Sequence, residues 1–516
     1  MFHSILFMNE NPISQQEAAK PDYLKDLNLD QIITPILEAR KEYHLDPYFF
    51  TPLCDTDSIF YRQQVMQDLE NEHTRTSFAS FAKNVFQLNA YMLQIQKALT
   101  QKDGYQQNYL TKGRMLDFAD RYCKAISELT ESLQASDIRS VGLQEFLDYL
   151  KKYRKTEEFI AFQSEVARLR GELSSVEYCM LIKNGCIRVR KFENQTDLSI
   201  DIEKLFDRFR HGDVQEYRHQ LTEETRAEHI EAAVLNLVAK WYPAIFSALN
   251  AFCDRYLYFI DSILARFTCE IQFYLSWLDY IQPLKRKGLP FCYPRITASS
   301  EHLYARDFFD LALAISLGSN SNPVTNDFTL DAPEKILVVT GPNQGGKTTY
   351  ARTFGQVHYL ASLGLCVPGG SASFLLFDRI YTHFEREEDL STLNGKLQDD
   401  LQRLYQILSQ ATASSILIIN EIFSSTTLSD ALYLCGQMMD AIIKIDCPAV
   451  CVTFIDELAT YSRETVSLVS TVKEDDLAIR TFKIVRKPPI GLAYAIHLAS
   501  KYGLTYEQLK QRLHKG

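Results

Sequence analysis

Apolar side chains return every three or four positions through residues 57–101, 112–135 and 141–174, with few glycines or prolines between them. That spacing predicts amphipathic helices. The texture changes at 177–192, where two short strand-like runs flank Asn184-Gly185. Asn-Gly between such runs predicts a β-hairpin. Helix resumes near Thr222. From Ala244 to Lys285 there is no glycine, and the first proline is Pro283. Phe246, Leu249, Phe252, Tyr256, Phe259, Ile263, Phe267, Ile271 and Leu275 recur at helical steps, which predicts one rod of about 40 residues, about 60 Å long. An isolated rod of that length needs partner helices or a mechanical task. The stretch 288–294 breaks it and marks a domain boundary near residue 300.

Beyond that boundary the period shortens. Strand-like runs at 336–340, 373–376, 380–384, 416–419, 449–453, 466–471 and 479–485 alternate with helical stretches. They predict an α/β domain with a parallel sheet, ending in helix and coil. The chain of 516 residues is too long for a single core, and two to four domains are expected. The fold class predicted is multi-domain, an α-helical part followed by an α/β P-loop domain of the ABC type.

The chemistry concentrates in that second part. Residues 336–350 read Ile-Leu-Val-Val-Thr-Gly-Pro-Asn-Gln-Gly-Gly-Lys-Thr-Thr-Tyr. Gly341 to Thr348 satisfies G-x-x-x-x-G-K-[ST] at every fixed position. A β-branched run precedes it and an unbroken helical stretch follows from Thr349. A strand, a glycine turn and a helix together gather backbone N–H groups around a polyphosphate. Gly341, Pro342, Asn343, Gln344, Gly345, Gly346, Lys347, Thr348 and Thr349 are therefore the candidate ATP-binding residues. Gly345 and Gly346 allow close approach of the phosphates. Lys347 reaches the β- and γ-phosphates, and the Thr348 hydroxyl meets Mg²⁺. Downstream, Ile416-Leu417-Ile418-Ile419-Asn420-Glu421 is an apolar run ending in two polar residues. Such strands deliver a metal ligand and a base for the attacking water, here Asn420 and Glu421.

Charge alters the picture only modestly. The formal net charge is -10, so contact with nucleic acid must come from local patches. The hairpin supplies one, with Lys183, Arg188, Arg190 and Lys191 as a charged edge that resists aggregation or, alternatively, as candidate phosphate-backbone contacts. The eleven cysteines are scattered without a C-x-x-C spacing, which argues against zinc and for reduced thiols in the cytoplasm. Residues 2–8 are too short an apolar run for a secretion signal, and no stretch is long and apolar enough for a membrane span.

The loop Gly-Pro-Asn-Gln-Gly-Gly-Lys-Thr-Thr-Tyr resembles G-P-N-M-G-G-K-S-T-Y of the MutS family of DNA mismatch repair ATPases. Val324-Thr325-Asn326-Asp327 is similar to the segment before that family's first ATPase strand. Glu388-Asp389-Leu390 is similar to its D-D-L, Thr426 and Asp430 to two positions of G-T-S-T-x-D, and residues 491–499 to its C-terminal G-x-x-x-S-Y-G-x-x-V-A region. The resemblance implies a core and lever domain over 1–300, with a clamp-like hairpin insertion near 175–195, and an ATPase domain over 301–516 with a C-terminal helical dimerisation region. It implies ATP and Mg²⁺ as cofactors, a homodimer and DNA as a partner. It also implies that ATP binding and hydrolysis drive clamp and lever movement.

Three departures qualify it. Asn420 stands where the family has Asp, Phe454 where it has a switch His, and Gly395-Lys396 where it offers Ser-Thr to the partner's nucleotide. Lys396 could supply charge in trans instead, or be an ordinary surface lysine. No Phe-x-Glu occurs anywhere, so specific mismatch reading is not expected. The alternative is a nucleotide-gated binding module with little or no hydrolysis, acting on DNA structures or on a protein partner. An ABC-type chromosome-maintenance ATPase would carry a Ser-Gly-Gly signature and long heptads, and neither is present. Tyr350 and the region around Asn326 are the candidates for contact with the base.

Overall fold

The structure is a computed structural model and describes residues 2–8, 20–100, 109–133, 136–183, 186–193, 224–318, 321–385, 395–423, 426–473, 479–489, 502 and 504–513. Contacts divide the chain into two compact units, each assembled from separated stretches. One comprises 1–2, 76–137 and 145–268, the other 3–75, 138–144 and 269–516. The boundary expected near residue 300 is therefore corrected. Among the described residues of 3–75, Leu24, Leu27, Ile32, Ile33 and Phe49 are buried, and they belong to the same unit as the α/β sheet. Tyr359 Oη, for example, donates to the Phe49 carbonyl at 2.6 Å, and Arg62 Nη1 to the Leu363 carbonyl at 3.1 Å.

Among its described residues the first unit is helical with one hairpin. Phe146 stacks on Phe267 at 3.6 Å, and Phe78 and Phe81 pack around the pair. The single rod expected over 244–285 is two helices, Pro243–Arg255 and Ser262–Arg286. The break has a tertiary cause. Phe259 leaves the helical path to pack on Tyr122 and Phe162, with ring centroids at 5.3 and 5.2 Å. Asp261 Oδ1 then accepts from the Ile263 and Leu264 N–H groups, each at 3.0 Å, and so caps the second helix.

The long helical stretches elsewhere are also divided, into Thr56–Leu69 and Glu72–Thr100, and into Val141–Tyr153 and Glu157–Ser174. Asn71 accepts from the Thr74 N–H at the first break, and Thr156 from the Phe159 N–H at the second. The hairpin pairs Tyr178–Lys183 with Cys186–Lys191 antiparallel. Asn184-Gly185 lies outside the described residues.

In the second unit a six-stranded sheet carries the candidate site. Its strands are β1 (Ile336–Thr340), β2 (Ile380–His383), β3 (Ile416–Asn420), β4 (Ala449–Val452), β5 (Thr465–Val472) and β6 (Arg480–Arg486). Their spatial order is β2-β3-β4-β1-β5-β6, parallel except for β6. β1, β3 and β4 are buried at every position, as expected of strands covered on both faces. The run expected at 373–376 instead belongs, as Ser371–Leu375, to a separate four-stranded sheet with Arg295–Thr297, His302–Phe308 and Asn326–Asp331.

Helix α1 (Lys347–Ser362) follows β1. α2 (Lys396–Gln410) and α3 (Leu428–Ile445) cover the other face, with Met438, Met439 and Ile442 against Leu417, Ile419 and Cys451. α1 is a core helix, buried at thirteen of its positions. A Cβ on Gly355 would lie 2.6 Å from both Ile418 Cδ1 and Leu27 Cδ2, so glycine here sets how closely the helix meets β3 and the N-terminal segment.

Candidate functional site

Register brings the carboxyl ends of four strands level. Asn420 pairs with Val452, Val452 with Val339, and Thr340 with Val469. Ligands of open parallel sheets lie in the crevice beyond such ends. The residues that follow, Gly341, Glu421, Thr453 and Ser470, gather at this edge. Gly341 has φ +113 and abuts Ser470, whose backbone oxygen would lie 3.0 Å from any added Cβ. Ser470 Oγ donates to the Gly345 carbonyl at 2.7 Å and holds the loop to β5. Gly346, with φ +89, caps α1 and turns its N-terminus to the loop.

Lys347 is 4 % exposed. Its Nζ donates to the Gly341 carbonyl at 2.8 Å, and lies 3.4 Å from the Pro342 carbonyl and 3.3 Å from Asn343 Oδ1. Burial lowers its pKa, Arg480 lowers it further, and Glu421 and Asp456 oppose the shift. Glu421 Oε1 lies 3.9 Å from Nζ. Glu421 has φ +51, a left-handed conformation that a non-glycine residue adopts at a cost of about 1–3 kcal/mol. Thr348 Oγ1 donates to Asn420 Oδ1 at 3.0 Å. The structure thus brings together Lys347, Thr348, Asn420 and Glu421, which are separated by more than seventy positions in the chain.

The donor set is a poor fit to a tightly held divalent cation. Thr348 and Asn420 present neutral oxygens to each other, and the adjoining carboxylate faces an ammonium. Among the described residues, no group of three or more His, Cys, Asp or Glu is arranged to hold a metal ion.

The loop lines a cleft of about 780 Å³, together with apolar residues including Leu313, Leu317, Pro323, Val324 and Phe482. Tyr350 and Asn326 line it too, but their polar atoms are committed. Tyr350 is buried, with its hydroxyl on the Asp327 carbonyl at 3.0 Å. The Asn326 amide donates to the Phe482 carbonyl and accepts from the Ile484 N–H, at 3.3 and 2.8 Å. Both therefore serve as ties within the fold while lining the cleft. Phe482, Ser470 and Arg480 went unnoticed in the sequence. No local motif marks them, because they act from strands more than 120 positions downstream of the loop.

A family model for MutS domain V matches residues 337–512. The C-terminal part of this chain is therefore similar to the MutS family. The chain is 28 % identical over 246 residues to a DNA mismatch repair protein MutS of Clostridium kluyveri, a match covering 46 % of this chain and 28 % of that protein. It is 30 % identical over 190 residues to an endonuclease MutS2 of Thermus thermophilus, covering 36 % and 25 %. A MutS of Streptococcus thermophilus is 27 % identical over 242 residues, covering 46 % and 28 %. The matched stretch therefore spans about a quarter of the length of these relatives.

Other positions similar to the MutS family fare unevenly. Residues 388–390 and 491–499 lie outside the described residues. Thr427 caps α3 by accepting from the Asp430 N–H at 3.2 Å, and donates to Asp430 Oδ2 at 2.8 Å, with Thr426 Oγ1 at 3.4 Å. Phe454, after β4, is half exposed. Gly395 precedes α2, and Lys396 ion-pairs with Glu385. In the hairpin Arg188, Arg190 and Lys191 are exposed, while Lys183 sits in register with Cys186. Among the described residues no single helix is long and apolar enough to cross a membrane.

Proposed function

We propose that this chain binds ATP on residues 341–349 and uses it to switch a MutS-like, DNA-acting assembly. The observation that carries this reading is the glycine loop, with a buried Lys347 beneath it, lining a cleft of about 780 Å³ that apolar residues also line. Loop N–H groups suit a polyphosphate, and apolar lining suits a base. Lys347 would exchange its loop carbonyls for phosphate oxygens. Glu421 would take the proton of an attacking water. The assembly would be a homodimer in which Gly395 and Lys396 approach the partner's nucleotide. Arg188, Arg190 and Lys191, with Lys183, would meet a DNA backbone. The relatives bear the names of mismatch repair proteins and of an endonuclease, which supports DNA as the substrate class.

A second reading, a nucleotide holder with slow turnover, is favoured by the neutral Asn420 and by the pairing of Glu421 with Lys347. Retention of labelled ATP by the wild type and by Lys347→Ala tests the shared part of both readings. Turnover with duplex, mismatched and branched DNA separates them. DNA-stimulated hydrolysis lost in Lys347→Ala supports the switch. Binding without hydrolysis, with turnover gained in Asn420→Asp/Phe454→His, supports the holder. Binding that is unchanged in Lys347→Ala refutes both.

A further inference from the structure

Two cations converge on the glycine loop, and only one belongs to its motif. Lys347 Nζ lies on the Gly341 carbonyl at 2.8 Å. Arg480 reaches in from β6, and its Nε donates to the Asn343 carbonyl at 3.2 Å. Arg480 is close enough to help lower the Lys347 pKa. Guanidinium and ammonium groups are the protein's own means of neutralising phosphate.

The side of the loop where a cation would sit has the opposite character. Magnesium in such sites rests on the loop hydroxyl, a carboxylate and the phosphates themselves. Here the hydroxyl of Thr348 is hydrogen-bonded to an amide, Asn420, at 3.0 Å. The next residue does carry a carboxylate, but Glu421 faces Lys347 at 3.9 Å. Two cations thus reach the loop, while the residue against the Thr348 hydroxyl is a neutral amide and the neighbouring carboxylate faces Lys347.

We propose that this site takes up the nucleoside triphosphate as the free anion, with Arg480 and Lys347 together neutralising phosphate charge that a divalent cation would otherwise carry. This rests on the nucleotide-binding reading above. It predicts that nucleotide occupancy does not follow the magnesium concentration. It also predicts that Asn420→Asp, by placing a carboxylate against Thr348, would repel the bare triphosphate and make binding depend on the metal.

The test is the Kd of a fluorescent ATP analogue for the full chain, in EDTA and in excess Mg²⁺. The variants are Arg480→Gln, Asn420→Asp and Lys347→Ala. Wild-type affinity should differ by less than about threefold between the two conditions. Arg480→Gln should weaken binding in EDTA by about tenfold or more, as expected for loss of a charge-assisted contact, with Mg²⁺ restoring much of it. Asn420→Asp should bind at least about tenfold more tightly in Mg²⁺ than in EDTA. Wild-type binding that collapses in EDTA overturns this proposal and leaves the nucleotide site standing. So does an Arg480→Gln protein that behaves as wild type. Absence of binding in both conditions, or binding untouched by Lys347→Ala, overturns the nucleotide reading and this proposal with it.

Discussion

Gly345→Ala tests whether the loop is held by β5. An added Cβ would lie 2.2 Å from Ser470 Oγ, 2.9 Å from the Pro342 carbonyl oxygen and 3.1 Å from Ser470 Cβ. Comfortable contact begins at about 3.5 Å between carbons, so the first overlap exceeds about 1 Å. The hydroxyl has nowhere to go without loss. Ser470 is buried, and its Oγ donates to the Gly345 carbonyl at 2.7 Å. Displacing it leaves a buried polar pair unmet, at about 1–3 kcal/mol. Overpacking adds about 1–3 kcal/mol. The single substitution should therefore cost about 2–6 kcal/mol, a large share of the 5–15 kcal/mol typical of a folded domain.

Ser470→Ala removes the closest clash along with the hydrogen bond. In that background Gly345→Ala should cost less by roughly 1–3 kcal/mol, because the contacts with Pro342 and with the carbon at position 470 remain. Urea midpoints of the wild type, both singles and the double give the coupling, with nucleotide retention read in parallel. A Gly345→Ala protein as stable as wild type would refute the reasoning. So would singles that add within about 0.5 kcal/mol.

Two further outcomes follow from other parts of the molecule. His358 lies in α1 between Phe354 and Phe374, with ring centroids 4.4 Å away on each side and Nδ1 donating to the Phe354 carbonyl at 2.7 Å. Burial pushes its pKa from 6.5 down to about 4. The unfolded chain therefore binds a proton that the folded chain refuses, and stability falls as pH drops from about 6.5 to about 4, by about 3 kcal/mol in all. Urea midpoints at several pH values should show this loss in wild type and its flattening in His358→Leu, and equal slopes would refute it. In the helical unit, Asp261→Ala should cost about 1–2 kcal/mol through the lost cap, and Asp261→Asn should retain most of it. Thermal unfolding reads both, and an Ala variant as stable as wild type would mean that Phe259 alone sets the break.

The loop and its flanking strand and helix were legible because their signal is contiguous. The β-branched 336–340, the glycines and Lys347 act where they stand in the chain. Asn420 and Glu421 were legible as the polar end of an apolar run. The broken rod was not, because Phe252, Tyr256, Phe259 and Ile263 keep helical spacing across the break while the force that bends the chain comes from Tyr122 and Phe162. A cap signal was nevertheless present in Asp261, just before an apolar run. The membership of residues 3–75 in the sheet's unit was hidden for a different reason. Leu27 and Gly355 meet across more than three hundred positions, and no periodicity records such a contact.

The placement of α1 bears on the order of events during synthesis. Arg352 Nε and Gln356 Nε2 donate to the carbonyls of Asp26 and Leu27, at 2.9 and 2.8 Å, so residues made early form the back wall for a helix made more than three hundred positions later. At about 5–20 residues per second, the ribosome needs roughly 15–60 s to travel from the one to the other. Through that interval Leu24, Leu27, Ile32, Ile33 and Ile36, all buried in the finished fold, have no sheet to cover them. The nascent chain must keep this apolar segment from premature association, by transient burial or by a holding chaperone, until the second half emerges. The same delay means that this segment cannot be locked against α1 until long after it has been made.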